Sequence, residues 1–338
     1  TSNITAAPLT VSTNAINRVY DGTTNAAGSA VVTGGSLFGG DTLSGGTFAF
    51  VNKNVGSNVT VNVSGVSVND GNGGANYALT QAANNTSNIS AAPLAITGVT
   101  ANNKVYDSTL TTGLGGAATV TGFGADVVSV SGVGSGSFAD KNVGSAKAVT
   151  VTGFGLTGAD ATNYVAVQPT GLTANITPAN LVVNGVTATS RTYDGTTVAS
   201  LGGSASVTGF GADVVSVSGV GSGSFANKNA GVGKAVTVTG FGLTGADSTN
   251  YVVIQPTGLT ANIAPAALTV STNAVNRTYD GTTNAAGSAI LTSGTLFGGD
   301  TLSGGSFAFV SKNVGSNVTV NVAGVSVSDG NGGANYIL

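Results

Sequence analysis

The chain has 338 residues, of which 41% are apolar and 7% charged, with a formal net charge of −3 and neither His nor Cys. An apolar content this high with so little net charge is typical of a folded chain and excludes a wholly disordered one. The ten Lys and Arg residues never cluster, which argues against a surface that binds a nucleic-acid backbone, and the absence of Cys excludes a disulfide scaffold.

The sequence consists of four repeats with a period of about 86 residues. We divide it into repeat 1 (1–88), repeat 2 (89–175), repeat 3 (176–262) and repeat 4 (263–338), the last shortened at its C-terminal end. Repeats 1 and 4 are nearly identical, as are repeats 2 and 3, and residues 1–4 resemble the end of a preceding copy. Three markers recur in one order, Tyr-Asp at Tyr20, Tyr106, Tyr193 and Tyr279, Lys-Asn at Lys53, Lys141, Lys228 and Lys312, and Asn-Tyr at Asn76, Asn163, Asn250 and Asn335.

Each repeat opens with a short proline-containing junction. Proline fixes its own φ angle and restricts the residue before it, so such a junction is stiffer than a Gly/Ser linker. We therefore expect a semi-rigid connection between repeats. The junctions are Ile4–Leu9, Ile89–Leu94, Ile176–Leu181 and Ile263–Leu268.

The Tyr-Asp-Gly-Thr-Thr motif predicts a strand that ends in a turn. Asp21 would accept backbone hydrogen bonds there, and Gly22 would supply a positive φ angle. Repeat 2 has Ser108 at this glycine position. Either the left-handed conformation is not required in repeat 2, or that repeat carries mild strain.

Five aromatic residues occur in each repeat, and we expect them to fill that repeat's own core, leaving none for a binding platform. One Phe always lies three residues before the marker Lys. That Lys is expected to pair with the Asp of Tyr-Asp or to remain solvated, and a Lys-Asn isopeptide cross-link is the less favoured alternative. The recurring Phe residues are Phe50, Phe138, Phe225 and Phe309.

A half-buried strand follows the marker Lys. Val59, Val61 and Val63 alternate with polar residues, which is the period of a strand with one buried face. After Gly65 the apolar positions shift by one residue, which would turn the later apolar side chains away from the core. A β-bulge or a tight bend must therefore return them to the buried face. We predict this feature at Gly65, Gly153, Gly240 and Gly324.

The loop before the Asn-Tyr marker is the best candidate for a metal site. Asp70–Gly73 superficially resembles a calcium loop, but it offers one carboxylate where Ca²⁺ needs six to eight oxygen ligands or so. We predict that Asp21, Asp41 and Asp70, with their counterparts, cap turns and loops. The sequence therefore predicts no catalytic, cofactor-binding or metal-binding residues.

The patterns together predict an all-β protein, since Gly is abundant, Val and Thr dominate, and no segment has helical periodicity. We expect four small β-sandwich (Ig-like) modules with Greek-key connections, arranged as an extended rod. The alternatives are β-grasp-like modules and, less favoured because the period is so long, a β-solenoid.

Three combined motifs resemble the YDG-type repeats of large bacterial surface proteins. These are (Arg/Lys)-x-Tyr-Asp-Gly-Thr-Thr, Phe-x-x-Lys-Asn-x-Gly and Gly-x-Asp-x-x-Asn-Tyr, and they cover the whole chain four times. The resemblance implies a filamentous-haemagglutinin-like exoprotein, of the kind often exported by two-partner secretion. Departures from the pattern are Ser108, Ala230 and the longer Asp-Gly-Asn-Gly-Gly loop of repeats 1 and 4.

We therefore expect a secreted or cell-surface protein that is not an enzyme, acting as the stalk of an adhesin or as a biofilm-matrix filament. The alternative is a glycan- or protein-binding module that acts through multivalency. Expected partners are neighbouring repeats, sister chains joined laterally or end to end, and host or matrix glycans. Nucleic acid is not expected, and no cofactor is. Membrane insertion is not expected either, because no apolar run approaches about 20 residues.

Overall fold

The computed structural model describes all 338 residues, and the chain is all-β, with sheets curled into half-barrels. The predicted fold class is confirmed at this level. The helical content consists of two single 3₁₀ turns, Ala161–Asn163 and Ser248–Asn250. No helix is long and apolar enough to cross a membrane.

The strands are numbered in chain order. Those of repeat 1 are β1 (Ala7–Thr13), β2 (Asn17–Val19), β3 (Ala30–Gly34), β4 (Thr42–Phe50), β5 (Gly56–Asn69), β6 (Tyr77–Gln81) and β7 (Asn84–Ser90). Those that begin in repeat 2 are β8 (Ala92–Ala95), β9 (Thr97–Ala101), β10 (Lys104–Val105), β11 (Thr111–Thr112), β12 (Leu114–Thr119), β13 (Ser129–Ser131), β14 (Ser135–Phe138), β15 (Gly144–Thr152), β16 (Gly155–Thr157), β17 (Tyr164–Val167) and β18 (Thr173–Thr177). Those of repeat 3 are β19 (Ala179–Val182), β20 (Asn184–Ala188), β21 (Arg191–Thr192), β22 (Val198–Ala199), β23 (Leu201–Ser206), β24 (Ser216–Ser218), β25 (Ser222–Phe225), β26 (Gly231–Thr239), β27 (Gly242–Thr244), β28 (Tyr251–Ile254) and β29 (Thr260–Ala264). Those of repeat 4 are β30 (Ala266–Ala267), β31 (Thr269–Thr272), β32 (Ala289–Ser293), β33 (Thr301–Phe309), β34 (Val320–Ser328) and β35 (Tyr336–Ile337).

Repeat 1 contains two mixed sheets, with strand orders β3-β1-β6 and β2-β7-β5-β4. The first strand pairs in parallel with β6, and β2 pairs in parallel with β7, while the remaining pairs are antiparallel. The parallel pairing of first strand and Asn-Tyr strand recurs in the other repeats as β8 with β17, β19 with β28 and β30 with β35. The predicted Greek-key sandwich would contain antiparallel pairs, so these parallel pairs differ from the prediction.

The four repeats form two compact units of about two repeats each. One unit consists of Thr1–Lys104 and Thr109–Thr177, and the other of Val105–Ser108 and Pro178–Leu338. Within each unit, the chain passes from one repeat to the next almost without leaving a strand, since Ala91 alone separates β7 from β8 and Pro265 alone separates β29 from β30. These two junctions are therefore fixed by strand pairing on both sides.

The hydrophobic cores cross the repeat boundary. One cluster in the first unit belongs to repeat 1 alone and includes Leu9, Val11 and Tyr77. A second cluster combines Tyr20 of repeat 1 with Tyr164 of repeat 2, and the second unit combines Tyr193 with Tyr336 in the same way. The expectation that each repeat's aromatic rings fill its own core is wrong for these tyrosines.

The predicted glycine features are present, and in repeat 1 they form a bend. All four glycines have positive φ angles, between 67° and 93°. Gly65 lies opposite Gly46, because Gly45 pairs with Val66 and Thr47 pairs with Ser64, and both strands turn together without an extra residue. The tight bend is thus confirmed in repeat 1, whereas a bulge, which needs two residues opposite one, is not found there.

Candidate functional site: the inter-repeat joint

The tyrosines of the first three Tyr-Asp markers, Tyr20, Tyr106 and Tyr193, are each buried against the repeat that follows. In the first unit, Tyr20 and Tyr164 both donate hydrogen bonds of 2.6 Å to the same carboxylate oxygen, Oδ2 of Asp126. The two rings meet edge to face, 5.3 Å between centroids, and Phe123 lies 6.0 Å from Tyr20. We call this arrangement of two tyrosines, one aspartate and one phenylalanine the inter-repeat joint.

A lysine from the first repeat completes the joint. Lys53 pairs with Asp126 through the second carboxylate oxygen, and its Nζ lies 3.4 Å from Asp160. The Asp126 side chain is only 1% exposed, so this carboxylate needs both the cation and the phenol donors. The predicted ion pair between Lys53 and Asp21 is wrong, because Asp21 pairs instead with Arg18.

A backbone contact closes the same interface. The N–H of Val55 donates to Oδ1 of Asn163 at 2.9 Å, and the Asn163 amide in turn donates to Asn54. In the second unit, the N–H of Ala230 donates to Asn335 at 2.8 Å. The asparagine of the Asn-Tyr marker therefore binds the Lys-Asn loop of the preceding repeat.

The second unit contains two further joints of this form. Tyr193 and Tyr336 donate to Asp300 at 2.9 and 2.8 Å, with the rings 5.2 Å apart and Lys228 3.6 Å from the carboxylate. Tyr106 and Tyr251 donate to Asp213 at 2.7 and 2.6 Å, again with ring centroids 5.3 Å apart. The joint therefore occurs three times with the same geometry.

The electrostatics of the joint favour a single protonation state at neutral pH. Burial and then the bond to Asp126 raise the pKa of Tyr164 to about 12, and burial also raises the pKa of Tyr20. Burial alone would raise the pKa of Asp126, but hydrogen bonds from Lys53 and both tyrosines outweigh it and lower that pKa. The phenols thus keep their protons as donors, while the carboxylate stays ionised as the acceptor.

Side-chain hydrogen bonds fix the turn that follows the Tyr of the Tyr-Asp marker. Asp21 accepts hydrogen bonds from the N–H and hydroxyl of Thr23, and Arg18 bonds to the carbonyl of Thr23 while its guanidinium lies 4.8 Å from the Phe50 ring. Asp194 and Asp280 make the same bonds to Thr196 and Thr282. The predicted capping role is confirmed for these three aspartates.

The candidate calcium loop is satisfied by its own backbone. Oδ1 of Asp70 accepts the N–H groups of Asn72 and Gly74, and Oδ2 accepts that of Asn76. Asp329 is bound identically. The predicted loop-capping role is confirmed for both aspartates.

Ser108 adopts the conformation of the glycine that it replaces. Its φ angle is 63°, compared with 77° for Gly22, Gly195 and Gly281. A left-handed conformation is unfavourable for serine. Of the two alternatives that the sequence left open, mild strain is the one that the structure supports.

The four repeats match a known family. A family model described as the YDG domain matches residues 5–86, 90–171, 177–259 and 264–338. The chain belongs to the YDG domain family. A search of the curated proteins found no match.

The geometry explains the two tyrosine markers in the YDG domains of this chain. The Tyr of Tyr-Asp is the group that one YDG domain places in the next, and the Tyr of Asn-Tyr is the second donor in the receiving domain. The Asp of Tyr-Asp only shapes the turn. Sequence reasoning missed the receiving aspartate, because we interpreted Asp41 and its counterparts Asp126, Asp213 and Asp300 as turn residues. Their constant position three residues after a Phe was the available signal.

Proposed function

We propose that this chain is a non-catalytic structural array, the stalk or spacer of a bacterial cell-surface adhesin or biofilm-matrix filament. The observation that carries the proposal is the joint in which Tyr20 and Tyr164, from adjacent repeats, share the carboxylate of Asp126. A contact that combines buried rings with an ion pair resists bending more than a Gly/Ser linker does. Repeats connected in this way suit a protein that acts as an extended spacer.

The chemistry of the joint supports a structural role. A carboxylate that is 1% exposed and bound by two phenols and an ammonium group has no free acceptor directed at a substrate. The raised pKa values of the tyrosines keep both phenols protonated at neutral pH, so neither is available to accept a proton. These residues are therefore better suited to holding repeats together than to proton transfer.

An extracellular location fits the composition. The chain has no Cys, Met or Trp, the side chains most sensitive to oxidation, and it draws little of its solubility from charge. The arrays of YDG-type repeats in exported surface proteins are the context that the motifs imply. We place this array outside the cell, as part of a longer surface structure.

Small-angle X-ray scattering of the full chain tests the spacer role. If each repeat adds roughly 30 to 45 Å along a rod, the maximum dimension is on the order of 150 Å. A double variant, Tyr20→Ala with Tyr193→Ala, should broaden the distance distribution because two joints lose their aromatic contact. A maximum dimension near that of a compact globule would refute the proposal.

A recurring exposed valine favours the second candidate function, a multivalent adhesive module. Val133 is 89% exposed, and Val220, at the same position of the neighbouring near-identical repeat, is 88% exposed. Identical weak sites along one chain gain avidity for a repetitive glycan or protein surface. A glycan array probed with the wild type and with the Val133→Ser, Val220→Ser variant separates this function from the spacer, which predicts no binding.

A further inference from the structure

The first two and the last two strands of repeat 1 run side by side in the same direction. We call β1 with β2 the opening segment and β6 with β7 the closing segment. β1 pairs in parallel with β6, beginning with Ala7 opposite Tyr77, and β2 pairs in parallel with β7, ending with Val19 opposite Ser90. The two segments therefore form one parallel ladder that runs from the start of the repeat to its end.

Hydrogen bonds continue the ladder between its two strand pairs. The Ala82 N–H donates to the Val11 carbonyl at 2.8 Å, and the Asn88 N–H donates to the Ile16 carbonyl at 3.0 Å. The Ile16 N–H donates to Oγ of the buried Ser87 at 2.9 Å. The opening and closing segments are thus bonded to each other along their length, including the bend where the chain passes from one sheet to the other.

The same ladder recurs in the internal repeats. In repeat 3, β19 pairs in parallel with β28, and β21 pairs in parallel with β29. Between these pairs, the Val183 N–H donates to the Ile254 carbonyl at 3.0 Å, and the Asn262 N–H donates to Oγ of Ser190 at 2.9 Å. In repeat 2, β8 pairs in parallel with β17, and β10 is the neighbour of β18. Repeats 2 and 3 each lie between two other repeats, so the ladder is a property of the repeat itself.

The Tyr of the Tyr-Asp marker makes a backbone bond at the far end of the ladder. The Tyr20 N–H donates to the Ser90 carbonyl, and the Tyr193 N–H donates to the Ala264 carbonyl, both at 2.8 Å. The phenols of the same two tyrosines donate to aspartates of the following repeat. The inter-repeat joint therefore anchors the end of the opening segment at the point where the closing segment passes into the next repeat.

Tension along the chain loads this ladder in shear. The chain enters the repeat 3 ladder at Ala179, which lies opposite Tyr251, and leaves it at Ala264, which lies opposite Thr192 at the other end. Opposite pulls on these two points act along the strands, and the bonds of a parallel pair are evenly spaced, so all of them carry the load together. A pull at right angles to the strands, at one end, would instead break the bonds one after another.

We propose that repeats 1 to 3 are each a mechanical clamp, so that the array bears tension as well as providing length. The parallel ladder is the force-bearing element, and the inter-repeat joint holds its far end. The inference deepens the proposed structural role and rests on it for the source of the tension, which is the load on a surface stalk. Weak resistance to shear would remove the clamp and leave the extended spacer intact, because scattering in solution tests the spacer separately.

Single-molecule force spectroscopy of the full chain tests the clamp by changing the direction of the pull. The chain has no Cys, so two introduced cysteines define the attachment points. Asn180→Cys with Ala264→Cys pulls the opposite ends of the repeat 3 ladder in shear, whereas Asn180→Cys with Val252→Cys pulls two directly opposed residues apart. All three side chains are exposed, so the substitutions should not disturb folding. The shear pair should rupture at the higher force.

Deleting one bond of the ladder separates the clamp from general stability. Ser190→Ala removes the acceptor of the Asn262 N–H, and under shear it should raise the unfolding rate about fivefold, the effect of one hydrogen bond. When opposed residues are pulled apart, rupture begins at the other end of the ladder, so the rate should not change. Ser200→Ala, at an exposed serine outside the ladder, is the matched control and should behave like the parent in both directions. Equal rupture forces for the two attachment pairs, or an equal effect of Ser190→Ala in both, would overturn the proposal.

Discussion

Tyr20 donates a hydrogen bond to Asp126 across a separation of 106 residues, and that bond joins two repeats that the sequence presents as separate modules. The phenol reaches a carboxylate already held by Tyr164 and Lys53. Because one acceptor serves donors from both repeats, the stability of either repeat depends on its neighbour.

Removing the phenol hydroxyl should weaken the joint measurably. Tyr20→Phe deletes one of three donors to a buried carboxylate, and we expect a loss of about 1.5 to 3 kcal/mol in the free energy of unfolding. For a unit of this size that corresponds to roughly 3–12 °C in melting temperature by scanning calorimetry. Tyr279→Phe is the control, since its side chain is 58% exposed, and it should leave the melting temperature unchanged.

The receiving aspartate should matter more in repeat 2 than in repeat 1. Asp126→Ala leaves Lys53 and two phenols without their acceptor, and we expect it to cost about 3–5 kcal/mol, as when a buried ion pair loses one partner. Asp41→Ala removes only the bond from Tyr77 and should cost about 1–2 kcal/mol. Equal losses of unfolding free energy in a urea titration would show that Asp41 and Asp126 contribute equally to stability, which would contradict this prediction.

Alkali should destabilise the chain before the tyrosines of the folded state ionise. In the unfolded chain Tyr164 titrates near its ordinary pKa of 10.0, and in the folded chain its pKa is about 12. Between these values the folded state binds more protons, so the stability from this group is complete below pH 10 and is lost as the pH rises towards 12. Melting temperatures measured across this range should fall less steeply for Tyr164→Phe than for the wild type, and an equal slope would contradict the assignment.

The strain at Ser108 predicts a stabilising substitution. Ser108→Gly should raise the free energy of unfolding by about 1 kcal/mol, because glycine reaches a positive φ angle without steric cost. Gly195→Ser should be more destabilising than Gly281→Ser. A Cβ at Gly195 would lie 2.9 Å from the Phe297 Cβ, whereas a Cβ at Gly281 would meet no atom within 4 Å. Thermal unfolding of the three single variants gives this order directly, and a neutral Ser108→Gly would remove the strain interpretation.

Local features of this fold could be predicted from the sequence, because they depend on near neighbours. The alternation of Val61 and Val63 predicted a buried strand face, and Gly65 predicted the bend that lets Val66 return to the core. The burial of Phe50 was likewise expected and is found.

Long-range relationships could not be predicted, because a periodic sequence gives the same markers for every copy. Nothing in Tyr20 or Asp126 indicates that the partner lies one repeat away and not within the same repeat. The parallel pairing of β1 with β6 has the same origin, since alternation specifies which face of a strand is buried but not the direction of its neighbour.

The coupling of adjacent repeats is tested most directly by hydrogen exchange and mass spectrometry on the full chain carrying Tyr20→Ala. We expect amide protection to fall in repeat 1 and also in repeat 2, in the segments 123–128 and 164–167, which contain the Tyr20 partners Phe123, Asp126 and Tyr164. Tyr279→Ala should change protection only around its own turn. If the loss in Tyr20→Ala stopped at the end of repeat 1, the repeats would be independent modules and the shared joint would not hold them together.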